Sequence, residues 1–145
     1  MKRVVVILAL LALALAGCGG SAADTTVPDP PKPSAFEKGS NDKLNTIVQQ
    51  WQTEVPATLV GQGVKQETIE AKTYQSSASL KEIADFYTSS LKEKGWVEVR
   101  NMPGLQNGFF TSGYDHSTTH LVIGAVDATQ FGGQGVVVYT AKGTK

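Results

Sequence analysis

Apolar positions recur along this chain with two periods, and the switch between them marks out its elements. Leu44, Ile47, Val48, Trp51 and Val55 follow i, i+3, i+4, i+7 and i+11, one stripe of an amphipathic helix. Ser40 or Asn41 can cap its free N–H groups, Asp42 suits its positive end, and Pro56 limits its far end. Residues 57–66, with Gly61 and Gly63, read as loop. Residues 68–74 alternate and contain β-branched side chains, the pattern of a strand.

A second helix is written more fully. Ser79 and Glu82 form a capping box, S-x-x-E, in which each side chain satisfies the other's backbone N–H. Leu80, Ile83, Ala84, Tyr87 and Leu91 share one stripe, with Phe86 on its flank and Lys81, Asp85, Ser89 and Glu93 opposite. Lys92 and Lys94 complement the negative C-terminal end. Gly95 suits the left-handed position beyond the last turn, and Trp96 can fold back onto Leu91. Four extended segments follow, at 96–101, 109–114, 119–127 and 135–141.

The expected order is therefore α-β-α-β-β-β-β. This is an α+β domain with an antiparallel-rich sheet of about five strands and one or two helices packed on one face. A curved sheet wrapping the first helix, as in cystatin-like domains, fits the same pattern.

The N-terminus departs from both periods. Lys2 and Arg3 precede an unbroken apolar run at 4–16, shorter than the roughly 20 residues a membrane-spanning helix needs and typical of a signal peptide. Residues 19–39 have no apolar period and hold Pro28, Pro30, Pro31 and Pro33, so they read as a disordered tether. Extended at about 3.1 Å per residue, that tether would reach on the order of 65 Å. The expected organisation is a signal peptide at 1–17, a tether at 18–40 and one domain at 41–145.

Composition narrows the function. Without residues 1–17 the chain keeps 128 residues, with 11 basic against 13 acidic side chains, a formal charge of −2. That balance gives no reason to seek nucleic acid, and no polybasic stretch suggests adsorption to anionic lipid. With one cysteine, the chain has no internal disulfide, so its core must stabilise it.

Leu15-Ala16-Gly17-Cys18 resembles the lipobox of bacterial lipoproteins at all four positions. The resemblance implies a diacylglyceryl thioether on Cys18, cleavage between Gly17 and Cys18, and often acylation of the new amino group by a chain such as palmitate. The protein would then be extracytoplasmic, on the outer face of the cytoplasmic membrane or on an outer membrane. Two or more acyl chains, at about 0.8 kcal/mol per buried CH₂, make such an anchor effectively permanent. Phe86-Tyr87, Leu91 and Gly95-Trp96 resemble the F-Y-x-x-x-L-x-x-x-G-W helix of small envelope lipoproteins of unknown function. That likeness implies a strand before the helix and several after it, and no activity.

Candidate chemistry is sparse. His116 and His120, with Asp115 or Asp127, could form a metal site if the side chains converged. No G-x-S-x-G elbow is present, and a lipid-bearing Cys18 is no nucleophile. The expectation is a non-enzymatic interaction or structural domain without a cofactor, held to the membrane through Cys18 and open to an envelope protein partner. Two alternatives stand beside it: a small-ligand binder with an aromatic-lined pocket, and a metal-binding protein or enzyme built on the two histidines. Trp51, Phe109, Phe110 and Phe131 are the candidate contact residues, since adjacent Phe109 and Phe110 must point to opposite faces of a strand.

Overall fold

Both apolar stripes become helices in the computed structural model, which describes residues 23–39 and 41–145. The expected signal peptide at 1–17 and Cys18 lie outside the described residues. Helix α1 (Asp42–Gly61) starts at Asn41, whose side chain accepts from the Leu44 N–H at 3.0 Å. Helix α2 (Leu80–Glu93) starts with the complete capping box of Ser79 and Glu82. It ends as its sequence requires. Gly95 turns at φ 84°, the Trp96 N–H donates to the Leu91 carbonyl at 3.0 Å, and Trp96 and Leu91 are both buried.

Helix α1 runs five residues past Pro56, where loop was expected. A proline inside a helix costs about 3 kcal/mol. The added turn buries Leu59 completely, and Gly63, at φ 90°, folds the chain so that Val64 packs beside it. The Val64 N–H closes the motif on the Leu59 carbonyl at 3.1 Å. Two aliphatic side chains, at roughly 1.5–3 kcal/mol each, outweigh the proline.

The strands are β1 (Pro33–Ala35), β2 (Glu70–Ser76), β3 (Val97–Glu98), β4 (Gly104–Gln106), β5 (Phe109–His116), β6 (Thr119–Asp127) and β7 (Val136–Thr144). They form one antiparallel sheet in the order β1-β2-β7-β6-β5-β3, with β4 also on β5. Helix α2 carries the chain from β2 to the parallel strand β3, across β7, β6 and β5. Strands β3 and β4 are two halves of one edge. Val97 lies opposite Asp115 but Gly104 lies opposite Thr111, and the three surplus residues form a bulge around Asn101, at φ 66°. Asn107-Gly108, both at positive φ, make the tight turn into β5.

The helices take opposite faces of the sheet rather than one. Ile83, Tyr87 and Leu91 of α2 pack on Phe110, Tyr114, Leu121, Ile123, Ala125, Val136 and Val138. Leu44, Val48 and Leu59 of α1 pack on Val126, Val137, Tyr139 and Ala141, the alternate residues of the same strands. Apolar residues at successive positions, as at 121–126 and 136–139, require a cover on each side.

The segment expected to be a disordered tether is, over its described part, laid on the α2 face. Strand β1 pairs with the outer edge of β2, Pro30 is buried, and the Ser76 hydroxyl donates to the Pro31 carbonyl at 2.6 Å. The Tyr74 hydroxyl donates to Asp29, Val27 joins the α2-side core, and the Lys94 ammonium pairs with Asp24 at 2.7 Å. Prolines that cannot enter a sheet interior are tolerated on its edge, where a missing N–H leaves no partner unpaired. Burial, and then Asp29, raise the Tyr74 hydroxyl's pKa, and Lys94 holds the Asp24 carboxyl below the usual carboxylate range.

Candidate functional site

Three glycines lie staggered on the face of the sheet that α1 covers: Gly113 on β5, opposite Val122, Gly124 on β6, opposite Tyr139, and Gly143 on β7, opposite His120. Each leaves room for a side chain, and the chain fills two of the three spaces itself. Trp51 lies on Gly124, so close that an added Cβ would meet its ring at 3.1 Å. Val64 lies on Gly143, where a Cβ would stand 2.5 Å from its Cγ1. Over Gly113 the groups nearest to an added Cβ are Val99, at 3.5 Å, and the Leu121 carbonyl, at 3.7 Å, both at ordinary contact distance and neither from α1.

The result is a cleft of about 230 Å³ between the C-terminal half of α1 and the β5 edge. Val55 and Leu59 form one wall, Val122 and Gly113 the floor, and Val99 and Met102 of the edge bulge the other wall. Glu54, Thr58 and Gln62 line its rim along α1. The Thr58 hydroxyl is spent on the Glu54 carbonyl, at 2.8 Å. Larger hollows beside Phe36 and beside Asn41 are lined by such polar residues as Lys38, Asn45, Gln52 and Gln130.

Asp115 and His120 close one corner of the cleft. They are cross-strand partners, and the His120 Nδ1 lies 2.6 Å from the Asp115 carboxylate. In the neutral ring Nδ1–H donates to Asp115, which leaves Nε2 as an acceptor. The cleft therefore offers aliphatic walls with acceptors at one end, from Nε2 and the nearby carboxylates. Among the described residues no hydroxyl hydrogen-bonds to His120, whose partner is the Asp115 carboxylate.

The histidines do not come together. His116 lies on the α2 face, where its Nε2 is 3.1 Å from the Lys94 carbonyl and its ring meets Trp96 edge-on at 5.4 Å. His120 is on the α1 face. Asp127 sits at the opposite end of β6 and caps a short turn through the Thr129 N–H and hydroxyl. A metal held by both histidines is thus excluded by the alternation of strand residues, and no group of three potential ligands occurs among the described residues.

The aromatic candidates pack into or against the core, Phe110 buried and the other three half-buried. Trp51 stacks on Tyr139 with ring centroids 6.3 Å apart, and Phe109 meets Phe131 edge-on under the start of α1. Phe110 is buried on the α2 face. The Phe131 carbonyl accepts from the Asn41 side chain, which ties the long β6–β7 connection to the helix cap. The open site is aliphatic, then, where the ligand-binding alternative had an aromatic-lined pocket. Its signal was present: a glycine in mid-strand, Gly113, and a broken edge strand at Met102-Pro103-Gly104.

No family model matches this chain, and neither curated proteins nor solved structures give a significant match. No helix among the described residues is long and apolar enough to cross a membrane.

Proposed function

We propose that this is a lipid-anchored extracytoplasmic protein whose domain is a non-enzymatic binding module, with the α1/β5 cleft as its binding site. The observation that carries the reading is the unfilled space over Gly113, bounded by Val55, Leu59, Val99, Met102 and Val122. The lipobox at Leu15-Ala16-Gly17-Cys18 supports the anchor, which would be the protein's link to the membrane. The ligand is small and mostly apolar, with a hydroxyl or amine N–H that donates to His120. A carboxylate ligand would meet Glu54 and Asp115 at like charge.

N-phenyl-1-naphthylamine, a neutral apolar dye with one N–H, is a suitable probe. Its fluorescence should rise saturably with the parent protein. Gly113→Ile sets a branched side chain in the middle of the cleft at a strand position that favours it. This variant should stay folded and lose the saturable signal. Unchanged binding in that variant would remove the cleft as the site. Separately, Cys18→Ser should leave the precursor uncleaved before residue 18 and without acyl mass; processing like the parent would end the anchored reading.

A further inference from the structure

We propose that the sheet edge carrying Val97 lies against the lipid bilayer, so that the cleft opens beside the membrane surface. The inference rests on the reading of Cys18 as the anchor. The docking of the N-terminal segment then makes it a geometric question. Among the described residues, Asp24 is the first tied to the domain, through its ion pair with Lys94 at the end of α2. Six backbone steps separate Cys18 from Asp24, so the Cys18 backbone cannot lie more than about 22 Å from Asp24. Val97 follows Lys94 by three residues and lies within about 11 Å of it along the chain. The anchor thus holds this corner, and not the opposite end of the domain, at headgroup level.

The edge at this corner is built for such a contact. Val97 is 68% exposed and Val99 is 38% exposed, and both lie on the edge that no other strand covers. An uncovered edge with outward valines invites pairing with other chains unless something shields it. Val99 also walls the cleft together with Met102, so this edge leads into the cleft, with Asp115 opposite Val97 at its rim. In the sequence about Val97, Lys92, Lys94 and Arg100 stand against Glu93, Glu98 and, through its pair with Lys94, Asp24. The contact is therefore apolar insertion at a held position, not electrostatic adsorption.

The test uses the full, processed protein in vesicles of phosphatidylethanolamine and phosphatidylglycerol. With Cys18 acylated, a cysteine introduced as Val97→Cys is the only free thiol for a nitrobenzoxadiazole label. Lys43→Cys, in the first turn of α1 at the other end of the domain, is the control. The label at 97 should shift to shorter wavelength and lose most of its emission to lipids carrying a headgroup-level nitroxide, and the label at 43 should do neither. A protein that floats with the vesicles while both labels behave alike overturns the bilayer contact alone. A protein that carries no acyl mass and stays in the aqueous fraction overturns the anchor, and the contact with it.

Discussion

The two faces of the sheet are covered by one helix each, yet unequally: the α2 face keeps only a hollow of about 110 Å³ among Val27, Lys72 and Lys142, and the α1 face an apolar cleft of about 230 Å³. On the α2 side, Ile83, Tyr87 and Leu91 sit on a continuous floor of large side chains, and Val27 and Pro30 of the N-terminal segment seal the flank. On the α1 side the core is divided into two patches bridged by Trp51, and a third area over Gly113 is left open. The difference lies in the floor. Side chains fill the α2 face at every alternate position, whereas the α1 face has three glycines, of which Trp51 of the helix covers one and Val64, just beyond it, another. A closed face supplies stability, and an open one supplies a place to bind.

Substitutions should separate these roles, beginning with the closed face. Ile83→Ala leaves a cavity in the tightest part of the molecule and should cost about 4 kcal/mol in denaturant unfolding. Trp51→Ala removes the bridge over Gly124; because Trp51 is half-buried, the expected loss is about 2–3 kcal/mol. Equal losses from these two would contradict the contrast between the faces. Ser79→Ala removes one half of the capping box and should cost about 1 kcal/mol, read as a lower thermal midpoint with dye binding unchanged.

The smallest effect concerns the segment that seals the α2 face. Lys94 depresses the Asp24 carboxyl's pKa, so the contact's contribution is complete above the ordinary aspartate value of about 3.9 and fades as the pH falls below it. The amide resonances of Thr25, Thr26 and Val27 should therefore hold steady from pH 7 to pH 5 and move only in stronger acid. Asp24→Asn should shift them at neutral pH without lowering global stability measurably, since the pair is exposed.

Much of the closed face was legible in the sequence, and little of the open one. The capping box, the stripe from Leu80 to Leu91 and the Gly95-Trp96 ending all rest on local spacing, and each forms as written. Gly63-Val64 carries the same helix-ending signal, but Pro56 obscures it, because local propensity argues for a stop and only the burial of Leu59 argues against one. The prolines at 28–33 have the composition of a free linker. Nothing local reveals that β2 offers them an edge and Tyr74 a partner for Asp29. The histidines were misleading through spacing alone. A two-residue turn at Ser117-Thr118 sets Asp115 opposite His120 and sends His116 to the other face. The cleft is a property of tertiary packing, the space α1 leaves when Trp51 settles on Gly124.

The most direct test is a ¹H–¹⁵N chemical-shift map of the mature domain during titration with N-phenyl-1-naphthylamine. Perturbations should cluster at Val55, Leu59, Val99, Met102, Gly113, His120 and Val122 and leave the residues of α2 unmoved. Shifts centred on α2 and its floor, or saturable binding without shifts around Gly113, would contradict the assignment of binding to the open face.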